Sequence, residues 1–249
     1  MQASVKPALF LHIQKTAGTS IQEMARQLYG NDGVLSHGDY EVVSSSELRK
    51  YPFISGHFGF EFARPLMTDR YCFTFLRDPV ERLLSLYRFC RQRDESGPLY
   101  DMAKKYDLEG FLRLADSDDF FRERLWNNQT WQLAYGWGAH LHDGKTKRSM
   151  TDFTPRQLLH LACINLDAFD YVGFVETFDH DISKIMSALT CTKIHVRHSN
   201  ASKIDNSTDT LSRSAKKKLA HLTGLDKKLY KYALQRRHGG LSHGSVASG

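Results

Sequence analysis

The stretch Pro7-Ala8-Leu9-Phe10-Leu11-His12-Ile13-Gln14-Lys15-Thr16-Ala17-Gly18-Thr19-Ser20 decides the fold. It opens on a short apolar run and closes on small polar residues. From Thr19 onward Ile21, Met24, Ala25 and Leu28 recur at helical spacing as far as Tyr29. The reading is strand, loop, helix. A loop in that place aims backbone N–H groups and the positive end of a helix at one point, which suits an anion. Lys15 adds a full charge and Gly18 permits close approach to the backbone. Thr16, Thr19 and Ser20 supply hydroxyls around Ala17. A plain strand-to-helix turn capped by Thr or Ser accounts for the same residues without a ligand. The pattern GxxxxGK[ST] is absent, so a P-loop ATPase does not follow.

The same grammar repeats outward. Residues 51–56 form a second apolar run ending at His57, and residues 71–76 a third ending at Arg77-Asp78-Pro79. Pro79 suits the first turn of a helix whose buried stripe is Val80, Leu83, Leu84, Leu86 and Tyr87, continuing to about Arg91. Further helices are predicted over 108–115, 118–135, 155–166, 179–189, 211–222 and 226–236, with a fourth strand over 169–175. The last two helices read as exposed and basic. Strands alternating with helices predict an α/β, P-loop-like three-layer fold with a central, mostly parallel sheet of about four or five strands. One domain is expected over 1–237, then a disordered Gly/Ser-rich tail over 238–249.

Composition bounds the function. With 249 residues, 41% hydrophobic and 12% aromatic, the chain can repay the entropy of ordering, which excludes global disorder. A net charge of +6 favours anionic partners. No apolar run near Met1 reaches the length of a signal-peptide core or a membrane span, so with Met1 as the start a cytoplasmic location is expected. Cys72, Cys90, Cys163 and Cys191 form no CxxC pair, which predicts reduced thiols and neither a zinc site nor a disulfide scaffold. No heptad sets an oligomeric state.

The segment Arg77 to Tyr87 is the second chemical element. Arg77 leaves a strand end and can fork onto a phosphate, and Ser85 reaches the same oxygens if the loop folds back. A salt bridge from Arg77 to Asp78 or Glu81 is the bland alternative. With the first loop this makes two phosphate sites at one sheet edge.

Residues 12–20 resemble the 5′-phosphosulfate loop of the carbohydrate sulfotransferases, and 77–87 resemble their 3′-phosphate motif, RDPxxRxxSxY. The pattern is most similar to the heparan sulfate 2-O- and 6-O-sulfotransferases and their bacterial relatives, with Gln14 in place of a loop proline. Ser55-Gly56-His57-Phe58 resembles the segment of the family's catalytic histidine, and 127–130 a stretch near the acceptor. Residues 171–176 resemble the late G-x-x-E strand, and 198–203 the cofactor-covering loop. The resemblance implies sulfuryl transfer from 3′-phosphoadenosine 5′-phosphosulfate (PAPS), leaving 3′-phosphoadenosine 5′-phosphate (PAP), without a metal. The acceptor would be a hydroxyl or amine of a sugar, lipid or small metabolite, not a nucleic acid.

Cofactor contacts are then expected from Lys15, Thr16, Ala17, Gly18, Thr19, Ser20, Arg77, Ser85, Ser202 and Lys203. Lys15 would neutralise the leaving oxygen and His57 would act as general base. His12 reads as a neighbour's hydrogen-bond partner, and Glu61 as a solvated carboxylate or a second base. Trp126, Trp131, Asn128 and Gln129 offer flat faces and amide forks that suit a sugar. As core residues, the tryptophans need no ligand. Lys216-Lys217-Lys218 and Arg236-Arg237 read as solvated faces. The rival classes are a nucleotide-dependent phosphotransferase using the same loop, and a non-enzymatic polyanion-binding protein.

Overall fold

Apolar runs alternating with amphipathic stretches bury their surfaces by stacking helices on both faces of a parallel sheet. The computed structural model describes residues 5–142, 146–190 and 211–239. In chain order its elements begin β1 (Ala8–Leu11), α1 (Gly18–Tyr29), β2 (Val34–Leu35), α2 (Ser45–Leu48), β3 (Phe53–Gly56), α3 (Phe60–Ala63) and β4 (Tyr71–Leu76). A helical stretch follows: α4 (Pro79–Gln92), α5 (Pro98–Lys105), α6 (Leu108–Arg113), α7 (Asp119–Leu125), α8 (Asn128–Ala134) and α9 (Pro155–Leu166). The chain returns to the sheet with β5 (Tyr171–Phe174), then α10 (Phe178–Thr190), α11 (Arg213–Leu222) and α12 (Gly224–Gly239).

The strands run parallel in the order β2-β3-β1-β4-β5. Side chains alternate across this sheet. Ala8 and Phe10 join Phe53, Phe73 and Phe75 against α1 and α10. Leu9 and Leu11 join Ile54, Cys72 and Leu76 against residues of α3, α8, α9 and α12. A third cluster, including Leu83, Leu86, Phe111, Phe121 and Leu219, joins α4 to α6, α7 and α11. Each fully buried Phe or Leu contributes about 1.5–3 kcal/mol.

Three expectations change. β2 has only two residues and carries no periodicity to read. The helix expected over 118–135 is two helices, α7 and α8, broken at Asn127, which is left-handed with φ 43°. Asn127 turns because its Oδ1 accepts from the N–H groups of Leu225 and Asp226, at 2.7 and 3.0 Å, at the start of α12. The Asp226 carboxylate answers by accepting from the N–H groups of Thr130 and Gln129, at 2.7 and 3.3 Å, at the start of α8. Each helix thus caps the other.

The C-terminal helices, third, are not exposed throughout: Lys216 and Lys217 are exposed, but Leu219, Leu229 and Ala233 on the other faces are buried. Arg237 forks onto the buried Asp181 at 2.7 Å, Arg236 pairs with Asp167 at 2.9 Å and Lys218 with Asp116 at 2.6 Å. Cys72, Cys90 and Cys163 are unpaired thiols, and Cys191 lies outside the described residues, as do 240–249 of the expected tail. Among the described residues no helix is long and apolar enough to cross a membrane.

Candidate active site

Strand register assembles the site. Leu11 lies opposite Gly56 on β3 and Thr74 on β4. His12 and His57, each one residue beyond a strand, and Arg77, just past β4, therefore meet at the carboxyl edge of the sheet.

The loop after β1 is a tight hook. Lys15 and Ala17 are both left-handed, with φ 71° and 67°, a conformation that costs non-glycine residues about 1 kcal/mol or more. Thr16 holds the hook shut: its buried hydroxyl donates to the Ile13 carbonyl at 2.7 Å and its N–H to the same oxygen at 3.3 Å. Thr16 is therefore a staple, and the hydroxyl donation to a ligand expected of it is spent inside the loop. Gly18 also has a second reason to be glycine. A Cβ there would lie 1.9 Å from Cε1 and Nε2 of His12, so the imidazole occupies the space a side chain would need. Helix α1 has no capping side chain and no acidic residue in its first turn, whereas α4 is capped by Asp78 through the N–H groups of Val80 and Glu81, both at 3.0 Å. The positive end of α1, with Thr19 exposed and Ser20 buried, thus carries neither cap nor carboxylate, an arrangement that suits an anion.

Arg77 is gripped through its main chain. Gln129 Oε1 accepts from the Arg77 N–H and Gln129 Nε2 donates to the Arg77 carbonyl, both at 3.0 Å. Glu176 accepts from the Asp78 N–H at 2.7 Å and from the Tyr230 hydroxyl at 2.9 Å. The late G-x-x-E strand thereby braces the turn, and Gly173 packs where a Cβ would lie 2.6 Å from the Phe75 ring.

Arg77 Nη1 donates to the Lys15 carbonyl at 3.4 Å, and among the described residues no carboxylate forms an ion pair with Arg77 or Lys15. Burial, reinforced by the Arg77 charge, brings Lys15 down to about 8, and burial likewise lowers Arg77. Ser85 is buried on α4. The carboxylates of Glu81, Glu176 and Asp78 act on Arg77 from beyond ion-pair distance. Two cations held together without a directly paired carboxylate, beside an uncapped helix end, form a donor set that fits phosphate and sulfonate groups.

His57 Nδ1 lies 3.0 Å from the His12 carbonyl. A carbonyl only accepts, so Nδ1 carries the proton and Nε2 keeps its lone pair. Gln132, wholly buried, donates to that same carbonyl at 3.0 Å and to the Phe58 carbonyl at 2.9 Å, fixing the oxygen that fixes the imidazole. Burial drives His57 down to about 4, the bond to the His12 carbonyl opposing it and the charges of His37, Arg124 and Lys15 assisting. His12 stacks on Phe10, ring centres 5.2 Å apart, and meets the His57 ring at a tilt, centres 4.4 Å apart. Burial, helped by the neighbouring His57, holds it far below the usual imidazole range, and its Nδ1 has no hydrogen-bond partner.

Residues 2–236 match the family model described as the sulfotransferase family. The chain belongs to that family. No curated protein matches it at a significant level. The chain is thus a sulfotransferase, an enzyme of sulfuryl transfer, on the α/β fold with a five-stranded parallel sheet just described.

The remaining candidates scatter. In this sulfotransferase Asn128, Gln129 and Trp131 are buried at 0–1% exposure. Asn128 donates to the Glu123 carbonyl at 2.9 Å, Gln129 holds Arg77, and Trp131 stacks on Tyr135 with ring centres 5.8 Å apart. Trp126 is half-buried and lines a hollow of about 260 Å³ with Met150, Phe153 and His221. Trp137 donates to Glu123 at 2.6 Å, and Glu61 pairs with Arg64 at 2.8 Å. Ser202 and Lys203 lie outside the described residues.

Sequence reasoning missed Gln132, His37 and Arg124. His37 sits two residues past β2, edge-on to His57 with centres 6.2 Å apart, and would have been found had β2 been legible. The Arg124 guanidinium lies on the Phe120 ring at 3.8 Å, and its charge reaches His57. Nothing in the sequence marks Arg124 or Gln132.

Proposed function

We propose that this sulfotransferase draws on PAPS and acts on a hydroxyl of a carbohydrate or small-metabolite acceptor, with His57 as general base. The observation that carries the reading is the contact of His57 Nδ1 with the His12 carbonyl, which leaves Nε2 to take a proton, beside the cations Lys15 and Arg77. Bound PAPS supplies an activated sulfuryl group whose release leaves charge on a 5′-phosphate oxygen. Lys15 and the first-turn N–H groups of α1 hold that end and neutralise the charge. Arg77 and Ser85 hold the 3′-phosphate and so set the orientation. His57 takes the acceptor proton at Nε2 while its Nδ1–H stays on the His12 carbonyl. In the free enzyme His57 is a weak base, and an anion held beside it raises its proton affinity.

Calorimetric titration with PAP without metal, in parallel with ATP plus Mg²⁺, tests the donor assignment in the wild type, Lys15→Ala and Arg77→Ala. Metal-free binding of PAP that each substitution weakens at least tenfold supports the reading. Binding of ATP with Mg²⁺ in place of PAP would overturn it in favour of phosphoryl transfer.

A further inference from the structure

Lys15 has a second, unforeseen partner. Its Nζ lies 3.6 Å from the centre of the Phe89 ring, nearly in van der Waals contact with the aromatic face. Ser85, Phe89 and Arg93 follow at four-residue intervals along α4 and its C-cap, so the ring stands one turn beyond Ser85 on the same stripe. The Arg93 guanidinium approaches the same ring at 5.0 Å. Arg77 and Arg93 both repel the Lys15 charge, and among the described residues no carboxylate pairs with Lys15 or Arg93. The Cys90 thiol favours the Lys15 charge electrostatically, and the negative ring face is the partner the ammonium touches.

We propose that Phe89 is a positioning residue: in the donor-free enzyme its ring stows the Lys15 ammonium, and binding of the donor's anionic end draws the lysine off the ring. The inference rests on the assignment of Lys15 to the donor. An ammonium has three N–H groups, and those over the ring cannot reach a phosphate oxygen from the same position. A full negative charge attracts the lysine more strongly than a ring quadrupole, so the exchange runs toward the donor. The stow then keeps a half-buried lysine charged and in place between turnovers, and it weakens donor binding by the strength of the ring contact.

The test reads Lys15 directly in the intact protein labelled with ¹³C at lysine Cε. Protons held over a ring face are shifted upfield, so one lysine Cε–H₂ signal, identified by its loss in Lys15→Arg, should lie upfield without ligand. Saturating PAP should return it to the ordinary lysine position. Phe89→Leu, which conserves volume, should abolish the upfield shift and tighten the Kd for PAP about two- to fivefold, the range of an exposed to part-buried cation–ring contact. Phe89→Tyr, which keeps the ring, should behave as wild type.

A signal that stays upfield at saturating PAP overturns the stow in the unmutated protein. Weaker PAP binding in Phe89→Leu overturns it by making the ring a donor contact. An unchanged shift and affinity there would leave the ring a purely structural part and also overturn it. Failure of the wild type to bind PAP would sink the donor assignment itself, and the stow with it. A bound donor with an unmoved lysine sinks the stow alone.

Discussion

The roles proposed for Lys15 and His57, two side chains with displaced proton affinities, predict the pH range of this enzyme. Lys15 binds an anion only when charged, and burial lowers it to about 8. PAP affinity should therefore be full below that value and fall as pH rises through it, whereas an ordinary lysine would hold its charge to above pH 10. Lys15→Arg should extend the plateau, because a guanidinium stays charged, and an unchanged alkaline limb would remove Lys15 as its cause. His57 works only when neutral, and at about 4 it becomes protonated only in strong acid. The free enzyme's kcat/KM should thus be level from about pH 4 to 8 as far as these groups decide it. His57→Ala should keep PAP binding and lose about 10²–10⁴ in turnover, and normal turnover would refute the base assignment. Lys15, Arg77 and His57 were legible because a motif names residue types at strand ends. What Thr16 and Gly18 do was not, since the Ile13 carbonyl and the His12 ring that define their roles appear only once the hook is folded.

At the scale of elements, the active-site loops are held from behind by residues whose bracing role the motifs do not show. Gln129 on α8 satisfies both main-chain groups of Arg77. Gln129→Glu should weaken PAP binding as strongly as Gln129→Ala, because a carboxylate cannot donate to the Arg77 carbonyl. Each unsatisfied buried group costs about 1–3 kcal/mol. Equal PAP affinity in wild type and Gln129→Ala would show that the turn holds itself.

The hook after β1 allows a compensation test. Gly18→Ala places a Cβ 1.9 Å from His12 atoms and should abolish PAP binding, and adding His12→Ala should restore it by opening that space. No recovery in the double variant would mean that the glycine serves ligand approach instead. Four strands and most of the longer helices were legible from apolar runs and helical spacing, with β4 and α9 read to the residue, whereas α2, α3 and α5 went unread. The break between α7 and α8 was not, because the groups that turn Asn127 lie 98 and 99 positions away.

For the molecule as a whole, the C-terminal helix closes the structure that the N-terminal motifs begin. The helices over 211–222 and 226–236 read as exposed and basic, yet α12 carries Arg237 to the buried Asp181 and Asp226 to the buried start of α8. Composition misleads there because one carboxylate among many cations sits at a junction. The Asp226 carboxylate also faces the field of Arg82, whose Nε and Nη1 are buried without a hydrogen-bond partner. Removing it should leave the Thr130 and Gln129 N–H groups unpaired and the Arg82 charge uncompensated. Asp226→Ala should therefore lower stability to urea by about 3–5 kcal/mol. Because α8 carries both Gln129, which grips Arg77, and Gln132, which fixes the His57 carbonyl partner, PAP affinity and turnover should fall together in whatever fraction stays folded. A loss below about 1 kcal/mol, the size of an ordinary surface contact, would show that the reciprocal caps of α8 and α12 do not hold the site in place.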